Sequence, residues 1–135
     1  MSQVGTKTIR VLLVDDHDVL RDGIAVVLEE FPDLELVGKS NSGWDAINKC
    51  AALKPDVVLM DILMPDMDGL TATRIIRERN AGVKVVVLSS FEEEHLVHDA
   101  RDIGASGYLL KNVSIDELAG AIRNAYLGNP ESFPD

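Results

Sequence analysis

The chain has 135 residues, 46% of them hydrophobic, enough for one buried core without disulfides or a structural metal and too few for a second domain. A formal charge of −10 and an isoelectric point near 4.6 argue against direct nucleic-acid binding, which needs clustered Lys and Arg, because the 13 basic residues are scattered. Cys50 is the only cysteine, so an intramolecular disulfide and a Cys-based zinc site are excluded, and no apolar run suggests a signal peptide or membrane span. The expected location is the cytoplasm.

Residues 1–8 read as a polar N-terminal extension. "IRVLLV" from Ile9 is a nearly continuous apolar run, the pattern of a strand covered on both faces. Leu20, Ile24, Val27, Leu28 and Phe31 then recur at helical spacing. "LELVG" from Leu34 reads as a second strand, and Trp44 and Cys50 are assigned to the packed side of the helix that follows. "DVVLM" from Asp56 and "VKVVVL" from Val83 are again continuous, and "SGYLL" from Ser106 is the fifth run. Asp66, Asp68 and Gly69 read as a turn and N-cap, stiffened by Pro65. Glu92, Glu93 and Glu94 suit a helix N-terminus.

The last helix carries Ile115, Leu118, Ala119, Ile122 and Tyr126 on one stripe, with a Ser114/Glu117 capping box and a Gly128, Pro130 stop. "NPESFPD", residues 129–135, has the composition of a linker or disordered tail, leaving residues 9–128 as the domain. Strand alternating with helix five times predicts parallel strands joined by right-handed crossovers, a doubly wound α/β sandwich. In such sheets ligands bind beyond the carboxyl ends of the strands, where strand order reverses.

Those ends carry Asp15 and Asp16, Asp61, Ser89 and Ser90, and Lys111. Taken singly, Asp15 or Asp16 is equally a helix cap, Asp61 a turn residue and Lys111 a solvated lysine. Together they place three carboxylates, a hydroxyl and an ammonium at one edge. An oxygen-rich, sulfur-free group of this kind suits Mg²⁺ or Mn²⁺. Asp61, at the centre of that edge, is the candidate nucleophile toward phosphorus, with Lys111 and Ser89 to bind phosphoryl oxygens.

"LLVDDH", "DVVLMDILMPDMDG", "VVVLSS" and "GASGYLLK" resemble, in order and spacing, the motifs of the response regulator receiver domain of two-component signalling, over residues 9–127. "DDHDVLRDGI", "FPDLELVG" and "SIDELAGAIRNAYLGN" are similar to the LuxR/FixJ/NarL branch. The resemblance implies a flavodoxin-like three-layer α/β/α sandwich with strand order 2-1-3-4-5. It implies Asp61 as phosphoacceptor, Asp16 as a direct metal ligand, Asp15 as a ligand through water and the Leu63 backbone carbonyl as a further ligand. Ser89 and Tyr108 become the switch pair and Lys111 the phosphate-pairing lysine. The implied partners are a sensor histidine kinase and a second copy on phosphorylation, joined through the first and fifth or the fourth and fifth helices. DNA enters only through a C-terminal domain outside this chain, which then reads as part of a longer regulator or as a stand-alone receiver.

Asn112 stands where many receivers have proline, which predicts a trans Lys111–Asn112 bond. Ser89 replaces the commoner threonine and keeps the hydroxyl. Leu63 and Phe91 are expected to shade an acyl phosphate from water. A dehalogenase-type phosphotransferase needs an acid where Leu63 stands, a dinucleotide fold needs glycines after the first strand, and a calcium loop needs acids at Met64 and Ile75. His17, beginning the first helix beside the acids, and His95 and His98, one turn apart on the fourth, read as ordinary helix residues rather than ligands.

Overall fold

The computed structural model describes residues 8–91 and 93–129, with the side chains of 18–21 excluded. The expectations for residues 1–7, Glu92, residues 130–135 and the Leu20 side chain lie outside this range. Five strands, β1 (Ile9–Val14), β2 (Leu34–Ser40), β3 (Val57–Asp61), β4 (Lys84–Ser89) and β5 (Gly107–Leu110), alternate with five helices. The helices are α1 (Asp18–Leu28), α2 (Gly43–Leu53), α3 (Gly69–Arg79), α4 (Glu94–Asp102) and α5 (Ile115–Leu127). The strands are all parallel, in the order β2-β1-β3-β4-β5.

The sheet is buried on both faces, which is why its central strands lack polar alternation. Val11, Leu13, Val57, Leu59, Val86 and Leu88 pack against α1 and α5. Leu12, Val14, Val58, Met60 and Val85 meet Ala46, Ile47 and Cys50 of α2 and Ala72 and Ile76 of α3. Val87, Ile62 and Tyr108 lie with Val97 and Ala100 of α4. Burying each such aliphatic side chain contributes about 1.5–3 kcal/mol. Cys50 is within this core, and burial pushes its thiol up to about 12.

Local chemistry fixes the helix ends. Ser114 accepts from the Glu117 N–H and the full capping box forms, while Gly128 closes α5 at φ 82°. Helix α1 stops at Leu28, so Phe31 packs from a turn, beneath Arg123, which grips Asp33 at 2.7 and 2.9 Å. On α5 the buried stripe ends at Ala125 and Tyr126 is partly exposed. Trp44 also departs from expectation. Helix α2 buries Gly43, Ala46, Ile47 and Cys50, a stripe that residue 44 falls beside, and Trp44 is 51% exposed.

The loop from β3 to α3 folds back so tightly that a Cβ on Gly69 would stand 2.0 Å from the Asp61 carbonyl oxygen. Gly120, inside α5, has open space around its Cβ direction. Replacing Gly69 by Ala is therefore expected to cost about 1–3 kcal/mol or more, whereas Gly120→Ala is expected to stabilise by roughly 0.5–1 kcal/mol through helix propensity. Urea unfolding of the two variants checks both signs.

Candidate functional site

Sheet register assembles the site. Val14 stands opposite Met60, so Asp15 and Asp61 leave the sheet side by side at the point where the chain's strand order reverses. Asp61 faces Leu88 and Ser89 faces Leu110, which puts Lys111 one step beyond. Backbone bonds pin both flanks: the Asp15 N–H donates to the Ser40 carbonyl at 3.0 Å and the Lys111 N–H to the Ser89 carbonyl at 2.9 Å. The described peptide bonds are all trans, Lys111–Asn112 included.

The Lys111 ammonium lies 3.1 Å from Asp61 Oδ1 and 3.2 Å from Asp15 Oδ2. These three side chains are 10%, 3% and 0% exposed, so their charges meet in a poorly solvated pocket. Asp16 reaches the same pocket from a more open position. Neither aspartate serves as the N-cap of α1, a position held by His17, whose N–H donates to Asp15 Oδ1 at 2.8 Å. The His17 imidazole lies over the acids, its Nδ1 3.0 Å from Asp15 Oδ1 and 3.3 Å from Asp16 Oδ1.

Burial pushes the Asp61 carboxyl above the ordinary aspartate value, and the neighbouring Asp15 charge adds to that. The Lys111 hydrogen bond and charge and the Leu63 N–H pull it back without cancelling the rise. One ammonium among three carboxylates leaves the pocket short of positive charge. Asp61 Oδ2 is buried and accepts no hydrogen bond among the described residues. Ligand atoms of Asp15, Asp16, His17 and Asp61 all lie within 4.8 Å of one another. A divalent cation fits this donor set, rich in carboxylate oxygen and free of sulfur.

Ser89 and Tyr108 converge on one residue. The Ser89 hydroxyl accepts from the Phe91 N–H at 3.0 Å, and the Tyr108 hydroxyl donates to the Phe91 carbonyl at 2.6 Å. Ser89 is buried and Tyr108 is wholly inside. The Leu63 and Phe91 side chains are exposed, beside the two ends that carry Asp61 and Ser89. His95 pairs with Glu93 and His98 with Asp102, all on the surface and away from the strand ends.

Two features escaped the sequence. Asp66, assigned to the turn, accepts from the Gly43 and Trp44 N–H groups at 2.9 Å each, capping α2 from a loop more than twenty residues away. His17, read as a helix residue beside the acids, is exposed there, and the structure adds that its ring nitrogen comes within 4.8 Å of the carboxylate ligand atoms. Its position directly after Asp15 and Asp16 was the available signal.

A parallel five-stranded sheet in this order, with acids and a lysine gathered at its switch point, defines a flavodoxin-like α/β domain with an acidic crevice. The chain belongs to the response regulator receiver domain family, which matches residues 11–123. It is 46% identical over 127 residues to the response regulator protein VraR of Staphylococcus epidermidis, covering 94% of this chain and 61% of that protein. The VraR of Staphylococcus aureus is 44% identical over 128 residues, again with 61% of its length covered. The chain thus spans about three fifths of these curated relatives.

Among solved structures, the signal receiver domain of NarL from Mycobacterium tuberculosis superposes with a TM-score of 0.87 at 31% identity, covering 91% of this chain and 99% of that one. A LuxR-family response regulator from Aurantimonas gives 0.88 at 29% identity, covering 95% and 90%. These relatives support the LuxR and NarL branch.

Because the folded Asp61 pKa is raised, its ionised form is disfavoured by the fold; the stability this implies is present at low pH and lost as pH rises through the folded pKa. Asp61→Asn is therefore expected to raise the thermal midpoint at pH 7, with the gain shrinking as pH falls through the raised folded pKa and gone below the ordinary aspartate value of about 3.9. Thermal scans of both proteins across that range check the sign.

Proposed function

We propose that this domain accepts a phosphoryl group on Asp61 and converts it into a change of surface. The observation that carries the reading is a buried carboxylate at the centre of the sheet edge, 3.1 Å from a lysine and crowded by Asp15. A carboxylate oxygen attacks the phosphorus of a histidine kinase's phosphohistidine. The P–N bond breaks, its electron pair stays on the imidazole, and an acyl phosphate forms on Asp61. Lys111 holds a transferred oxygen as a point charge and Ser89 donates its hydroxyl to another. Water attack on the acyl phosphate later returns the carboxylate and inorganic phosphate. The domain turns over no separate substrate; it promotes its own phosphorylation and dephosphorylation.

Asp15, Asp16, Asp61 and the Leu63 carbonyl would hold Mg²⁺, or Mn²⁺, which supplies shielding of phosphoryl charge during transfer. An apolar groove between α1 and α5, lined by Ile24, Val27 and Ile115 beside His17 and Lys111, supports approach of a partner carrying the donor. When the Ser89 hydroxyl turns to the phosphoryl group it releases the Phe91 N–H, and Phe91 is also what Tyr108 holds. The switch thus runs through Phe91. Tyr108, buried beside β4, would turn with that release. The remodelled surface of α4, β5 and α5 then controls pairing of two copies. In the cytoplasm of its cell, a longer protein of the VraR type would carry that change to DNA through a C-terminal domain.

Incubation with acetyl phosphate and Mg²⁺, followed by intact-mass measurement, is expected to add one phosphoryl group to the wild type and none to Asp61→Asn. Chelation of the cation is expected to suppress the adduct. After donor removal, the adduct on a Leu63→Asn, Phe91→Ala variant is expected to decay about tenfold or more faster, corresponding to a barrier lowered by about 1.4 kcal/mol. An undiminished adduct on Asp61→Asn overturns the assignment, and equal decay overturns the shading by Leu63 and Phe91.

A further inference from the structure

We infer that His17 is a nitrogen ligand of the cation site and tilts its selectivity away from Mg²⁺ toward borderline transition metals such as Co²⁺. The inference rests on the reading of Asp15, Asp16 and Asp61 as a cation site and adds a donor to it.

The distances carry the argument. His17 Nδ1 is 3.0 Å from Asp15 Oδ1, 3.3 Å from Asp16 Oδ1 and 4.0 Å from Asp61 Oδ2. The Asp15 contact is a hydrogen-bond distance, and together the three place the imidazole nitrogen within reach of every carboxylate of the cluster. Asp61 Oδ2 is buried and accepts no hydrogen bond among the described residues.

The hydrogen-bond chemistry of Nδ1 points the same way. Two carboxylate oxygens within 3.3 Å ask this nitrogen to donate, while the Lys111 ammonium at 3.4 Å asks it to accept. One ring nitrogen cannot do both. A cation among the carboxylates removes the conflict, because the nitrogen lone pair then faces positive charge.

The backbone holds the residue beside the acids, with its side chain 61% exposed. The His17 N–H is anchored on Asp15 Oδ1 at 2.8 Å, and its side chain caps nothing on α1. The ring is therefore not required for the helix start. An imidazole added to carboxylates favours Co²⁺ relative to Mg²⁺, which prefers all-oxygen shells. It leaves the site able to take Mg²⁺ through its acids.

The test is calorimetric titration of wild type, His17→Ala and His17→Asn with Co²⁺ and, separately, with Mg²⁺, with circular dichroism to verify folding. Loss of the ring is expected to weaken Co²⁺ binding by on the order of tenfold, with Mg²⁺ affinity changed by less than about twofold. A second readout is the electron spin echo of Mn²⁺ bound to protein labelled with ¹⁵N-histidine, expected to show nitrogen modulation that both variants lose. Equal effects on Co²⁺ and Mg²⁺, no effect on either, or no nitrogen modulation in the wild type overturns the inference. An Asp16→Asn control separates the two claims: if it abolishes Mg²⁺ binding while the His17 variants match wild type, only the ligand role of His17 fails. If Asp16→Asn leaves Mg²⁺ binding intact, the cation-site reading itself fails.

Discussion

Like charge confined at the end of a buried sheet is the constraint on which the rest of this molecule depends. Asp15 and Asp61 emerge side by side because β1 and β3 are neighbours with Val14 opposite Met60. Two like charges about 4 Å apart near a protein surface repel by roughly 4 kcal/mol. Lys111 is drawn between them and offsets part of this, yet the Asp61 carboxyl stays above its usual range. A site held in this state favours anything that brings compensating positive charge. Stability given up at Asp61 is thus tied to chemistry at Asp61.

The surrounding structure keeps those charges in place and lets them be felt at a distance. Gly69 allows the β3–α3 loop to lie on the Asp61 carbonyl, with its N–H donating to Ile62 at 2.7 Å. Asp68 caps α3, while Asp66 reaches across to cap α2, so one loop orders two helix starts around the phosphoacceptor candidate. On the other flank, Phe91 is held by its N–H to Ser89 and by its carbonyl to Tyr108. Ser89 on β4 and Tyr108 on β5 are thus joined through the backbone of one residue.

The fold was legible because its signals are local and repeated. Continuous apolar runs marked β1, β3 and β4, and the Ser114/Glu117 box and Gly128 marked the limits of α5. Asp15, Asp61, Ser89 and Lys111 were legible because parallel topology sends every strand's carboxyl end to one edge. The capping of α2 by Asp66 was hidden, since its partners are remote in sequence and a P-D-M-D-G loop offers nearer uses for each acid. Trp44 was misplaced because size suggested burial while the stripe Gly43, Ala46, Ile47, Cys50 had no place for it. His17 lay beside the acids in plain sight, but only the distances show that its Nδ1 comes within 3.3 Å of two carboxylates while the side chain stays largely exposed.

The account stands most directly on where the phosphoryl group goes. Treatment of the phosphorylated domain with borohydride reduces an aspartyl phosphate to homoserine, and peptide mass spectrometry then reads the position. The account predicts homoserine at residue 61 alone, formed only when a divalent cation accompanied the donor. Homoserine at Asp15 or Asp16, or a stable phosphoryl group on Ser89 or His17 with residue 61 unchanged, would contradict it.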